Sequence, residues 1–262
     1  MKHRRTALTL MLVALGVMLS ACGTTSSSGS SDSSTARSTT VTVFAASSLK
    51  GSFTVIGAAF EAANPGVTVT FNFGPSSGLA TQITQGAPAD VFASASQKTM
   101  DTVSAASLAV SPRVFAVNSL AIATPVQQSV EVSSLADLAK PGVKVAVCQK
   151  VVPCGATALA LFEQNKLSVT PSTEEVDVKA VLTKVQLGEV DAGVVYVTDV
   201  KAAQGSVTDI IIPAEQNVTT RYPIAALLTS SGSASATATD FVDYVLSPAG
   251  QQVLLSAGFV SP

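Results

Sequence analysis

One histidine occurs in 262 residues, His3, and it falls in an N-terminal segment that reads as an export signal. Beyond that segment the chain has no imidazole. The absence removes Ser-His-Asp and Cys-His catalysis, which need imidazole as the base, and it removes the commonest zinc and copper ligand. Basic residues are scarce as well. With Lys2, Arg4 and Arg5 set aside with the signal, the 15 basic residues become 12 against 17 acidic ones, a net charge near −5. That balance argues against nucleic acid or an acidic membrane face as a partner. It does not exclude an anion held locally by dipoles. Cysteine is limited to Cys22, Cys148 and Cys154.

The apolar run of residues 7–19 is too short to span a bilayer comfortably but suits a signal-peptide core, so residues 1–21 are expected to be targeting sequence. It ends in Leu19-Ser20-Ala21-Cys22, which resembles the lipobox of bacterial lipoproteins. The resemblance implies lipidation of Cys22 and attachment to the cell membrane. Residues 22–40 are dominated by Ser, Thr and Gly, a composition that cannot bury apolar surface. They read as a tether reaching about 25 Å by random-coil scaling. In an extracytoplasmic setting Cys148 and Cys154 are expected to form a disulfide. Closing so short a loop stabilises by only about 2 kcal/mol, so its purpose would be to shape the loop.

From residue 41 onward, short runs of Val, Ile and Phe alternate with amphipathic stretches of ten or more residues, the pattern of parallel strands joined by helices. The fold class is α/β. Strands are expected at residues 41–45, 67–73, 90–94, 143–147, 191–196 and 209–212, and helices at 48–64, 76–85, 155–165, 176–187, 234–246 and 248–257. Two long apolar segments, residues 114–124 and 222–229, are followed by polar turns and read as crossover strands between lobes. The expected architecture is therefore two α/β lobes joined by two hinge strands, with residues 41–117 plus 222–262 in one lobe and 118–221 in the other.

Ser47-Ser48 follows one expected strand and Ser76-Ser77-Gly78 another, at the carboxyl ends where open α/β sheets bind ligands. A helix starting there offers free N–H groups and a positive dipole end to an anion. Taken singly, such serines are more often ordinary N-caps. Their recurrence, with Pro153-Cys154-Gly155 and Val178 added, favours an anion site.

Four stretches together resemble the periplasmic molybdate-binding proteins of ABC transporters. They are Val43-Phe44-Ala45-Ala46-Ser47-Ser48-Leu49, Ser76-Ser77-Gly78-Leu79-Ala80 with Gly86-Ala87-Pro88-Ala89-Asp90-Val91-Phe92, Val152-Pro153-Cys154-Gly155, and Gly193-Val194-Val195-Tyr196. The resemblance implies a two-lobed periplasmic-binding-protein fold of type II and a monomer. It also implies no enzymatic activity, no cofactor, and delivery of molybdate or tungstate to an ABC permease and its ATPase. Carried onto matching positions, the ligand set is Ser48 and Ser76, the backbone amides of Cys154 and Val178, and the hydroxyl of Tyr196. No metal is expected to bind side chains directly.

Molybdate at neutral pH is a fully deprotonated dianion that only accepts hydrogen bonds, so a donor-only pocket matches it. A protonated phosphate would bring a donor needing an acceptor, at a cost of about 1 to 3 kcal/mol if unmatched. Sulfate must be rejected by size. Other oxyanions or a small organic acid are the alternative ligands, and Arg113 and Arg221, near the expected hinges, could grip a carboxylate. Tyr196 could instead be a buried strand-end residue bonded to a backbone carbonyl. A reading of a different class is a serine acyl-transfer enzyme, since Ser47-Ser48-Leu49-Lys50 fits S-x-x-K. Neither S-D-N nor K-T-G occurs in the chain.

Overall fold

The computed structural model describes residues 39–228 and 235–262. The signal, Cys22 and nearly all of the tether lie outside the described residues, as do Thr229 of the second crossover segment and Ala234 of the helix expected at residues 234–246. No helix among the described residues is long and apolar enough to cross a membrane.

The first strand, β1 (Thr39–Ala46), begins two residues earlier than the sequence pattern suggests, because Thr39 and Thr40 pair in register with Val67 and Thr68 of β2 (Val67–Gly74). Between them a single 3-10 turn, Ser47–Leu49, leads into α1 (Lys50–Ala63). Gly66 at φ +91° turns the chain back into β2, a conformation that a side chain would strain. Then follow α2 (Ser76–Thr84) and β3 (Val91–Ala93), which pairs parallel with β1. The next helix, α3 (Gln97–Ala105), has a mostly polar sequence and no expected counterpart. It buries only Thr99, Met100 and Val103, and Ser96 caps it by accepting from the Thr99 N–H.

The long β4 (Ala109–Thr124) changes partners along its length. Its first two-thirds pairs antiparallel with β9 (Thr219–Leu227), and its last residues pair with β7 (Ala192–Tyr196) and β8 (Thr208–Ile211). The second group of parallel strands is β5 (Val145–Cys148), β6 (Thr173–Glu175) and β7. Helices α4 (Pro153–Gln164) and α5 (Val178–Gln186) connect them. Strand order is β2-β1-β3-β9-β4-β7-β5-β6, with β8 on β4. Parallel pairing thus holds within each flank, while the crossover strands β4 and β9 run antiparallel to their neighbours. The polar three-residue β6 and the six-residue α6 (Val197–Ala202), continuous with the apolar run of β7, also escape the sequence pattern.

Three hydrophobic clusters result, the smallest of them joining Phe44, Leu79, Phe92 and Met100, and two are large. One is built from residues between Val41 and Ala116 and between Tyr222 and Phe259, and it is rich in aromatic rings: Phe60 meets Phe241 at 5.3 Å and Phe53 meets Phe115 at 5.7 Å between centroids. Burying each such ring contributes roughly 1.5 to 3 kcal/mol. The other interior lies between Leu120 and Ile212 and is mainly Val, Leu and Ala. Helices α7 (Ala236–Leu246) and α8 (Pro248–Ala257) return to the aromatic lobe. The chain is therefore two α/β lobes joined through β4 and β9, and the carboxyl ends of strands from both face one cleft.

Candidate functional site

Six chain segments meet in that cleft: the ends of β1, β2, β3, β5, β6 and β7, each with the residues that follow. Ser48, Ser76, Cys154, Val178 and Tyr196 all line one cavity of about 230 Å³ including its mouth. That is below the roughly 300 to 1,000 Å³ usual for drug-sized ligands. Among the described residues lining it, none is lysine or arginine. Arg113 pairs with Asp243 at the surface and Arg221 is exposed, so neither supplies the grip an organic acid would need.

Three of the four helical starts at this cavity differ from those of α3, α7 and α8. Ser96, Ser235 and Ser247 cap α3, α7 and α8 by accepting a backbone N–H. At the cleft, the residues preceding the 3-10 turn, α2 and α4 are Ala46, Pro75 and Val152, and none provides a side-chain cap. A missing cap costs about 1 kcal/mol and leaves first-turn N–H groups free, at the positive end of the helix dipole. Ser48 and Ser76 are therefore not N-caps, the alternative reading of such serines; each lies inside its turn.

Ser76, only 1% exposed, accepts the Ala95 N–H at 3.0 Å, which leaves its own proton to donate. Ser48 Oγ lies 2.9 Å from Tyr222 Oη. Asn118 accepts the Ser119 N–H with its carbonyl oxygen, and its amide donates to Thr198 and, at 3.5 Å, to Tyr222. Tyr222 Oη thus links Asn118 and Ser48 in one buried chain, in which either hydroxyl of the Ser48–Tyr222 pair can be the donor. Burial holds the Tyr222 phenol well above its ordinary pKa, which keeps it protonated.

In the second lobe, Pro153 opens α4 without an N–H of its own, so Cys154 presents the first free amide. The loop before it folds tightly on itself. A disulfide joins Cys148 to Cys154 with Cα atoms 5.7 Å apart, and a Cβ on Gly155 would stand 2.1 Å from the Gln149 carbonyl oxygen. Val178 is the first residue of α5, whose N-cap, Asp177, accepts the Ala180 N–H at 2.9 Å. Tyr196, at the end of β7 and 1% exposed, has no hydrogen-bond partner for its hydroxyl among the described residues. The alternative in which a backbone carbonyl satisfies it does not hold. Burial raises its pKa well above that of a free tyrosine, offset only in part by the neighbouring Thr157 and Tyr222 hydroxyls, so it stays an O–H donor. Asp199, itself pushed up by burial, accepts the Tyr196 N–H at 3.1 Å and lies 2.7 Å from Lys179 Nζ, which fixes the end of the strand.

Two expectations need correction. The cavity wall is not made of donors alone, because the Asp177 carboxylate lines it. Its Oδ1 accepts from Ala180 and its Oδ2 from the Ser47 hydroxyl at 2.8 Å. That second bond also engages the proposed acyl-transfer nucleophile, while Lys50 is exposed at the start of α1. The S-x-x-K match therefore sets no buried lysine beside a free serine. Asp177, Asn118 and Tyr222 escaped the sequence reading as site residues. Only the position of Asp177 immediately before Val178 could have pointed to it.

The chain is similar to known proteins in sequence and in fold. Residues 41–260 match the family described as bacterial extracellular solute-binding protein. The chain is 42% identical to the molybdate-binding protein ModA of Mycobacterium tuberculosis H37Rv over 93% of each sequence. It is 32% identical to the ModA of Haemophilus influenzae, covering 86% of this chain and 91% of the relative. These relatives carry the names of binding proteins and not of enzymes. The periplasmic molybdate-binding protein of Azotobacter vinelandii shares the fold, with a TM-score of 0.74 at 20% identity over 85% of this chain and 99% of the other. With the cleft, its two lobes and their crossover strands in place, the chain belongs to the bacterial extracellular solute-binding proteins.

Proposed function

We propose that the protein captures molybdate, and tungstate with it, outside the cytoplasm and delivers the anion to the permease and ATPase of an ABC importer. The observation that carries this reading is the buried Tyr196 hydroxyl, without a partner among the described residues, in a cavity also lined by uncapped helix starts and by no cationic side chain. A small anion that only accepts hydrogen bonds suits that set. The ligand groups are the hydroxyls and amides of Ser48 and Ser76, the amides of Cys154 and Val178, and the Tyr196 hydroxyl. The names of the relatives agree with the ligand.

In this reading the lobes divide at residues 41–117 plus 222–262 against 118–221, close on the anion as the crossover strands flex, and present the closed form to the permease. The protein works as a monomer held at the membrane by lipid on Cys22. The test is calorimetry and thermal unfolding of the purified protein with molybdate, tungstate, sulfate and phosphate. At 1,000 times its dissociation constant a ligand adds about 4 kcal/mol of stability. Molybdate and tungstate should both produce such a shift, and sulfate and phosphate much smaller ones. No shift with either of the first two sinks the ligand assignment.

A further inference from the structure

Ser47 and Asp177 stand on opposite walls of the cleft, 130 residues apart in sequence, and the Ser47 hydroxyl donates to Asp177 Oδ2 at 2.8 Å. Ser47 lies in the 3-10 turn after β1, in the aromatic lobe; Asp177 begins α5, in the aliphatic lobe. We propose that this hydrogen bond is a clasp that holds the lobes closed over the oxyanion, with Ser47 and Asp177 acting as positioning residues and not as ligands. The proposal rests on the reading of the cleft as an oxyanion site.

Three features of the pair support a clasp. The first is place. Ser47 precedes Ser48 and Asp177 precedes Val178, so the bond forms only when two ligand groups of opposite lobes have come together. Asn118, which bonds Thr198, and Tyr222, which bonds Ser48, sit on the crossover strands themselves, where they hold through a hinge motion with little displacement.

The second is preorganisation. The Ala180 N–H fixes one oxygen of Asp177, which aims the other across the cleft before Ser47 arrives.

The third is charge. Capping α5 does not require a carboxylate, since serine caps α3, α7 and α8. A negative charge on the wall of an anion cavity opposes the ligand. A charge-assisted acceptor for Ser47 gives that carboxylate a use a neutral cap lacks, because hydrogen bonds to ionised groups are the stronger kind.

Opening the cleft breaks the clasp and closing reforms it, so its loss acts on escape of the anion rather than on capture. The experiment measures molybdate affinity, association and dissociation rates, and ligand-free melting temperature for the wild-type protein, Ser47→Ala and Ser47→Thr. Ser47→Ala should weaken binding roughly tenfold, almost wholly through faster dissociation, with the ligand-free melting temperature unchanged. Ser47→Thr keeps the hydroxyl and should restore wild-type dissociation. Wild-type affinity and dissociation rate in Ser47→Ala overturn the clasp while the oxyanion site stands. A loss carried by slower association, or by a lowered melting temperature, overturns it too, since either marks an ordinary structural role. Failure of the wild-type protein to bind molybdate or tungstate removes the oxyanion site and the clasp with it.

Discussion

In the site proposed above, the two walls of the cleft contribute different parts of the chain. In the proposed site the aromatic lobe offers serine hydroxyls braced by neighbours: Ala95 donates to Ser76, and Ser48 shares a hydrogen bond with Tyr222. The aliphatic lobe offers mainly backbone, the first amides of α4 and α5, with Tyr196 as its one hydroxyl. A hydroxyl can be deleted by substitution. An amide can only be moved. The lobes should therefore respond to mutation in opposite ways, one to loss of a side chain and the other to addition of one.

The largest effect is expected where an added atom displaces the backbone. At Gly155→Ala the new Cβ would meet the carbonyl oxygens of Gln149 at 2.1 Å and Cys148 at 2.5 Å, neither of them the flexible end of a side chain. The start of α4 must shift, and the Cys154 amide with it. Overpacking of this kind costs about 1 to 3 kcal/mol in stability. Molybdate affinity should fall by more than about a hundredfold, since a donor displaced by an ångström no longer meets its acceptor. The control is Gly51→Ala, in α1, where nothing stands within 4 Å of the new atom and helix propensity predicts a small gain. Calorimetry and thermal unfolding of both variants separate a local displacement from a general intolerance of alanine.

Deleting hydroxyls should cost less, and Tyr196 should behave unlike the serines. Ser76→Ala removes a hydroxyl that also accepts the Ala95 N–H, so it should weaken molybdate binding about tenfold to a hundredfold and lower ligand-free stability by about 1 to 3 kcal/mol. Tyr196→Phe removes a buried hydroxyl that has no partner among the described residues. It should weaken binding by a similar factor while leaving the ligand-free protein as stable as before or more so. A Tyr196→Phe variant that binds normally would take the tyrosine out of the ligand set. One that unfolds readily would show that its hydroxyl is satisfied from within the protein.

The same contrast governs what could be read from the sequence. Strands rich in Val and Phe announce themselves, and Ser48 and Ser76 stand out because hydroxyls recur at strand ends. The elements that escape are those whose burial is partial or short: α3 hides two apolar side chains and a threonine under a polar face, β6 is a Thr-Glu-Glu edge, and α6 continues the apolar run of β7 without a break. Side chains that act through another residue leave no local pattern either. Asn118 and Tyr222 lie on apolar crossover strands 104 residues apart, and only pairing of β4 with β9 brings them beside Ser48. Asp177 falls inside the helix expected at residues 176–187, whereas in the structure it is the cap before Val178. Its bond to Ser47 exists only once the lobes face each other.

The smallest effect is expected at the disulfide, where the aliphatic lobe is braced rather than built. Cys148 ends β5 and Cys154 lies in the first turn of α4, both nearly fully buried, so the link ties the strand directly to the amide that faces the cavity. Other bonds hold the same loop: the Gln149 N–H donates to Glu175 and the Val152 N–H to Gln149. Replacing both cysteines by alanine should therefore lower stability by about 2 kcal/mol, the entropy of a short closed loop. Molybdate affinity should drop only a few-fold, because the backbone bonds and the packing at Gly155 still place the Cys154 amide. A loss as large as that of Gly155→Ala would mean that the covalent link, and not the close packing of the loop, sets the position of the amide. Unchanged affinity with the full loss of stability would assign the disulfide to the fold alone.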